Sequence, residues 1–228
     1  MDIHSFCGTI ASRATDYEKP ITGGKFAMIK LWFAPRTRAV RIAWLLEELG
    51  LPYQLERVEF KTTATSFFAQ TTPLGKLPVI EDAGTLIGES GAIVEYILEQ
   101  YGDGRLAPAV GSTARARYLQ WLHFAESTAF PPLGIVIWLT LYRDDASAHP
   151  ELVRDAVGRA ASGLEFLEEH FGSGPWLLGE NFSAADIMMG FTLLAAQAVG
   201  VLDARFPTIN AYLGRLLERP ALQKVISL

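Results

Sequence analysis

Every run that reads as a β-strand in this chain falls before residue 90, and after Ser112 the apolar spacing is helical. This division constrains the fold more than any single motif, because it splits the chain into a region that can build a sheet and one that cannot. From Met28 the elements alternate. IKLWF (29–33) reads as a strand, and Arg38 to Leu49 as a helix with Val40, Ile42, Trp44, Leu45 and Leu49 on its apolar side. Gly50 is placed to end that helix, Leu51 to pack back on its last turn, and Pro52 to prevent continuation. Tyr53 to Phe60 then reads as a second strand, and strand, helix, strand with short links implies a parallel pair joined by a right-handed crossover. LPVIE (77–81), the turn Asp82-Ala83-Gly84 and TLI (85–87) form a hairpin signal, and Gly91 to Tyr101 closes the unit as a helix. The result is an α/β domain over residues 28–104, about eighty residues and an ordinary small size.

YGDGRLAPAVGST (101–113) has no periodicity and reads as a linker. Helical spacing follows at Ala114 to Ala129, Glu151 to Phe171, Ala184 to Val199 and Ile209 to Glu218, so residues 113–228 are expected to form an all-α domain. The fold class is therefore α/β plus all-α. Lys and Arg total 20 against 25 Asp and Glu, with no block of like charge, so nucleic acid is not an expected partner. The longest apolar run, Ile187 to Leu202, is short of a bilayer span and carries Thr192 and Gln197, so no membrane association is expected. Cys7 is the lone cysteine, which excludes a disulfide framework and a thiolate metal cluster and fits a reducing, cytoplasmic setting. No metal or cofactor is expected. Residues 1–27 lack periodicity and the apolar core of a secretory signal, and are read as an N-terminal tail. CxxC, HExxH, Walker, G-x-S-x-G and GxGxxG motifs do not occur.

One stretch, LGKLPVIEDAGTLIGES (74–90), carries chemistry. Pro78 opens an apolar run that otherwise reads as an inner strand, which is tolerated where the ladder is not continued on that side. With a cis Leu77–Pro78 bond the chain turns sharply and Leu77 presents its N–H and C=O outward, a docking edge for a peptide-like ligand. Ser90 and the first N–H groups of the next helix form an anion site, and the Glu89 carboxylate beside it suits an ammonium group. Together they describe a site for a small peptide with an α-amino acid head.

WLLEELGLPY (44–53), PLGKLPV (73–79) and ESGAI (89–93) resemble the corresponding motifs of cytosolic glutathione transferases, a likeness spanning Met28 to about Leu228. It implies a thioredoxin-like N-terminal domain followed by the family's helical C-terminal domain, a homodimer, and glutathione as co-substrate. By that resemblance Leu77 bonds the cysteinyl backbone of glutathione beside Pro78, Glu89 and Ser90 hold its γ-glutamyl head, and Lys76 is a weaker candidate for its glycyl end. The segment WLHFAESTAFPPLG (121–134) is similar to the HYAEGSLMPP-like helix of bacterial and fungal members, which places it beside the pocket for a small hydrophobic electrophile. That pocket is expected to draw on Phe33, Phe130, Ile135, Trp138 and Tyr142. The reactions implied are conjugation, or a glutathione-dependent isomerase, dehalogenase or disulfide reductase chemistry; a non-catalytic glutathione-binding relative is the remaining reading.

A free thiol has a pKa of about 8.5, and lowering it by about two units takes roughly 2.7 kcal/mol. One hydrogen bond to the thiolate supplies about 1.5–3 kcal/mol and a helix N-terminus a few tenths to about 2, so a single hydroxyl at a helix start suffices. In FAPRTRAVR (33–41), Thr37 aligns with the catalytic serine of plant-type members carrying S-P-x-S, a departure from the Tyr, Ser or Cys that most classes use. Thr37 is also suited to be an N-cap, and a cap hydroxyl keeps a lone pair and a rotatable proton. Arg36, where a cysteine class would match, is a rival by charge. His123 and Ser127, four apart with Glu126 between, are rivals from the helical domain, with a core histidine as the alternative. Pro131 is expected to kink or end that helix. In NFSAADIM (181–188), Ser183 and Asp186 form a capping box, with Phe182 and Ile187 placed as a hydrophobic staple.

Overall fold

The structure, a computed structural model, describes residues 28–59 and 75–228; the tail, the far end of the second expected strand at Phe60, and Pro73–Leu74 of the PLGKLPV motif lie outside the described residues. Four strands, β1 (Ile29–Phe33), β2 (Tyr53–Arg57), β3 (Val79–Asp82) and β4 (Thr85–Gly88), form one sheet in the order β2-β1-β3-β4. β2 runs parallel to β1 with Leu31 opposite Leu55, and β3 runs antiparallel to β1 with Leu31 opposite Ile80. β3 and β4 make the expected hairpin, Ile80 facing Ile87. Helix α1 (Ala39–Leu49) is the crossover, and α2 (Ser90–Tyr101) closes the unit. α1 ends as its residues require: Gly50 takes φ 66°, its N–H bonds the Glu47 carbonyl at 3.1 Å, and the Leu51 N–H bonds Leu46 at 3.0 Å. The sheet and helical halves together are the thioredoxin-like domain and all-helical domain expected above.

The helical half begins with a rod from Thr113 to Tyr142. It contains α3 (Thr113–His123), a wide π-helical turn at Phe124–Ala129, α4 (Phe130–Ile137) and a second wide turn at Trp138–Tyr142. Of the two outcomes expected at Pro131, a kink or a stop, the stop does not occur. Pro131 and Pro132 occupy the first turn of α4, where missing N–H groups are tolerated, and the widened turn just upstream relieves the crowding of their rings against earlier carbonyls. The rod is long and apolar enough to cross a bilayer. Its buried residues, among them Tyr118, Leu122, Ala125, Ala129, Leu133 and Val136, follow one face at helical spacing, as in a bundle helix packed against neighbours.

α5 (Pro150–His170), α6 (Ala184–Ala198), α7 (Pro207–Leu217) and α8 (Pro220–Ile226) complete the fold. The apolar core is continuous across both halves. Trp44 of α1 is fully buried against α6, and a β-carbon added at Gly190 would stand 2.8 Å from its ring, so glycine is what lets the helices approach. Glu48 accepts from Trp44 Nε1 at 2.8 Å and takes Arg219 in a two-pronged pair at 2.6 Å, which ties α8 to α1. At the start of α6 the capping box is formed. Phe182 packs against Trp44 and Trp176, with the Arg219 guanidinium 3.5 Å above its ring.

Candidate functional site

A small cleft is lined by Arg38, Lys76, Leu77, Pro78, Gly88, Glu89 and Ser90. Four pieces of chain meet there: the start of α1, the approach to β3, the end of β4 and the start of α2. The fold thus brings together all five residues expected to hold glutathione, and the Leu77–Pro78 bond is cis. Lys76 is exposed at the cleft mouth, while Leu77 and Pro78 are buried at its wall. Glu89 precedes α2 with φ 66° and ψ 114°, outside the left-handed basin that non-glycine residues tolerate. Holding a side-chain-bearing residue there costs on the order of 1–3 kcal/mol, strain of a kind that collects at ligand clamps. The first hydrogen bond of α2 runs from the Ile93 N–H to the Glu89 carbonyl at 2.9 Å, so the N–H groups of Ser90, Gly91 and Ala92 precede the ladder.

Ser90 itself is buried, and its hydroxyl is engaged away from the cleft. It accepts from Arg41 Nη1 at 3.0 Å and donates to Glu126 Oε2 at 3.2 Å. Arg41, on α1, is wholly buried; it also donates through Nη2 to Thr192 Oγ1 at 3.0 Å and is paired with Glu126 Oε2. The second oxygen of Glu126 takes Arg38 Nη1 at 2.6 Å. Burial, and then the neighbouring Arg38 charge, pull the Arg41 pKa well below its ordinary value. Phe130 and Phe191 flank Arg41 with ring centroids 5.4 and 5.1 Å from its guanidinium carbon.

Thr37 is buried where β1 turns into α1. Its hydroxyl donates to the Ala34 carbonyl at 2.7 Å and accepts from the Ala39 N–H at 3.3 Å, so it closes the loop and caps the helix at once. Arg36 is exposed with φ 62°. His123 and Ser127 are both exposed, and the Ser127 hydroxyl donates back to the His123 carbonyl at 2.8 Å. Glu126, between them in the widened turn, is the residue of that segment that reaches the N-terminal half. Of the apolar residues expected to line an electrophile pocket, Phe33 is a correction: it lies on the inner strand β1 with no exposed surface and packs the core. Phe130 sits against the two arginines, Trp138 is half exposed, and its ring pairs with Tyr142 at 6.0 Å.

The sequence reading does not single out Arg38, Arg41 or Thr192 as site residues, and it brings in Glu126 only as part of the helix face of His123 and Ser127. A signal existed: RAVR places two cations three apart at the start of an otherwise apolar helix, where an unpaired buried cation demands a partner. Among the described residues no group of three or more His, Cys, Asp or Glu is arranged to hold a metal ion.

This architecture and cleft define a class. Residues 27–99 match the N-terminal domain of glutathione S-transferases and residues 150–215 match their C-terminal domain. Glutathione S-transferase 3 of Schizosaccharomyces pombe is 29% identical over 211 residues, 85% of each chain. A glutathione transferase family member from Pseudomonas fluorescens, solved with two glutathione molecules bound, superimposes with a TM-score of 0.76 at 29% identity over 87% of this chain and 92% of that one. A glutathione transferase from Pseudomonas putida, solved with one glutathione disulfide per subunit, gives 0.76 at 26% identity over 88% and 91%. The chain belongs to the glutathione S-transferase family, and its enzyme class is glutathione transferase.

Proposed function

We propose that the protein joins the thiolate of glutathione to small hydrophobic electrophiles, with glutathione seated in the cleft between α1, β3 and α2. The observation that carries this reading is the charge pattern of the cleft. Among the residues that line the cleft, Arg38 and Lys76 stand with one acid, Glu89, beside the N–H groups of Ser90, Gly91 and Ala92 that precede the α2 ladder, while Glu126 pairs with Arg38 from behind. Glutathione has two carboxylates and one ammonium group, the complementary set. Leu77 supplies the peptide edge, Glu89 the partner for the ammonium, and the α2 start the donors for the α-carboxylate. Thr37 serves as the thiolate donor by rotating its hydroxyl proton from the Ala34 carbonyl toward sulfur, while it continues to accept from Ala39. The thiol proton passes to solvent. Sulfur then bonds the electrophilic carbon, and the leaving group departs with the electron pair of its own bond. Phe130 and Trp138 provide apolar surface for the second substrate.

Retention on immobilised glutathione followed by conjugation of an aryl halide tests this. Thr37→Ala is expected to lower turnover tenfold or more with little change in glutathione affinity, and to move the acid limb of the pH–rate profile upward. An unchanged profile would transfer the role to Arg36 or to the His123–Ser127 pair. We also assign cytoplasmic residence, a homodimer, and domains of 28–104 and 113–228 to this reading; light scattering on the purified chain tests the dimer.

A second reading is favoured by the relatives that hold two glutathiones or glutathione disulfide. There the bound thiolate attacks a mixed disulfide, one S–S bond forms as another breaks, and a thiolate leaves. A hydroxyethyl disulfide assay exceeding the aryl halide rate would select it. Binding without either turnover would leave a glutathione-binding relative, and isomerisation or dehalogenation would need its own substrate panel.

A further inference from the structure

Helix α5 buries Ala156, Ala160, Leu164 and Leu167 in the bundle and leaves Leu152, Asp155, Arg159 and Ser162 exposed. At 3.6 residues per turn these four and Phe166 fall within about a quarter of the helix circumference. Phe124 and Thr128 of the rod stand beside that stripe, and together they enclose an open groove of about 570 Å³ that also takes in Gly158, Asp155 and Arg159. The groove shares no residue with the glutathione cleft. Leu152, 45% exposed, is a large apolar side chain left to solvent at the end of the same stripe.

The stripe is self-complementary about its middle. Asp155 and Arg159 lie two positions either side of residue 157, and Leu152 and Ser162 lie five positions either side of it. A two-fold axis at the height of residue 157, with a second α5 running antiparallel, sets each Arg159 against the partner's Asp155 and each Leu152 beside the partner's Ser162. Leu152 and Ser162 are both about 7.5 Å along the helix from that axis, so the apolar knob meets the groove. Next to the axis a β-carbon on Gly158 would have nothing within 4 Å, and the bare backbone there lets a second helix come close.

We propose that this face is the surface on which two copies of the chain associate, with α5 antiparallel to α5, Leu152 seated in the opposite groove, and the Asp155 and Arg159 side chains of both copies in a ring of alternating charge. The inference rests on the homodimer assigned above and names the face that makes it. Within one copy Asp155 and Arg159 pair at 3.2 Å, an exposed contact that adds little to the helix. Against a second copy each carboxylate gains another cation, partly shielded from water, and wrong registers bring like charges together. Because Asp155 cancels Arg159, the groove offers no net charge to a small ion. Its charges match their own mirror order instead.

Sedimentation equilibrium over a concentration series tests this, with glutathione binding measured on the same samples. The wild type is expected to dimerise. Leu152→Glu should raise the dimer dissociation constant hundredfold or more, since each dimer loses two apolar anchors and gains two acids in their place. Asp155→Arg brings four cations together and Arg159→Asp four acids, so each single reversal should weaken the dimer tenfold or more. The chain carrying both reversals regains both cross pairs and should associate within threefold of the wild type. If Leu152→Glu does not fold, the reversal set decides alone. A dimer indifferent to Leu152→Glu, or a double reversal no better than the singles, overturns the proposal. A wild type that stays monomeric at every concentration overturns it together with the homodimer assignment, and leaves the groove to a small apolar ligand or another protein. A wild type that dimerises through these residues and binds no glutathione sinks the functional reading and upholds this one.

Discussion

Two carboxylates of the helical half are held in opposite ways. Asp186, near the start of α6, is fully buried and takes only neutral donors: the Leu177 N–H at 2.9 Å, the Ser183 N–H at 2.8 Å, the Ser183 hydroxyl at 2.9 Å and the Tyr212 hydroxyl at 2.8 Å. All four come from the same half of the molecule. Burial raises the Asp186 pKa above the ordinary carboxylate value, against the pull of those four bonds in the other direction. Glu126 keeps 21% of its side chain exposed and is held by two cations from the other half. The first arrangement uses up its donors and has nothing to give a ligand. The second ends with charge to spare at a cleft. A buried polar network is structural when its valences close internally, and functional when one valence is left facing a crevice.

The strongest attack on this contrast is Asp186→Asn, which turns one acceptor oxygen into a donor aimed at other donors. It is expected to cost roughly 3–5 kcal/mol in urea unfolding. A loss under about 1 kcal/mol would mean that the cluster is no structural keystone. Gly190→Ala separates the apolar part of the domain contact from its ionic part. Its new methyl meets the Trp44 ring, and a loss of about 1–3 kcal/mol is expected, with glutathione affinity little changed. Ser183→Ala removes one donor from the closed network and should cost about 1 kcal/mol.

The smallest effect belongs to a third carboxylate. Glu168 on α5 accepts from the N–H groups of Thr208 and Ile209 at 2.8 and 2.9 Å, capping α7 from outside. Burial pushes its pKa up, but the bonds from Thr208 and Ile209 outweigh it and leave the value below the ordinary one. A depressed folded-state pKa contributes stability that is present above the unfolded carboxylate value, about 4.3, and is lost as pH falls through the folded one. Because the group is largely solvated, Glu168→Gln should cost only a few tenths of a kcal/mol at pH 7. That difference should vanish on acidification, measurable as converging unfolding midpoints.

Much of the molecule was legible from local pattern. IKLWF is β1 to the residue, Gly50 ends α1, and Ser183 with Asp186 forms the box that their spacing announces. Lys76, Leu77, Pro78, Glu89 and Ser90 were also found together, through short motifs that flank one hairpin. Other features depend on contacts that local pattern does not carry. Phe33 reads as a residue next to the loop of interest, but only strand pairing on both sides shows that β1 is an inner strand. Pro131 reads as a kink or a stop; the widened turn upstream lets the helix run on, and nothing in nearest-neighbour spacing signals that compensation. That the Ser90 hydroxyl bonds Arg41 and Glu126 is likewise settled only by contacts between distant segments.

By itself the sequence determined the order of elements, the helix caps and the family motifs. These depend on φ, periodicity and hydrogen bonds between residues a few positions apart, which the chain carries wherever it goes. Only the tertiary structure decided that Glu126 meets Arg38 and Arg41, 88 and 85 positions away, and that Arg38 rather than Arg36 lines the cleft. A charge pair across that distance forms because two domains bury a common apolar face, with Trp44 against Gly190, and the ions must then find each other or pay the full penalty of desolvation.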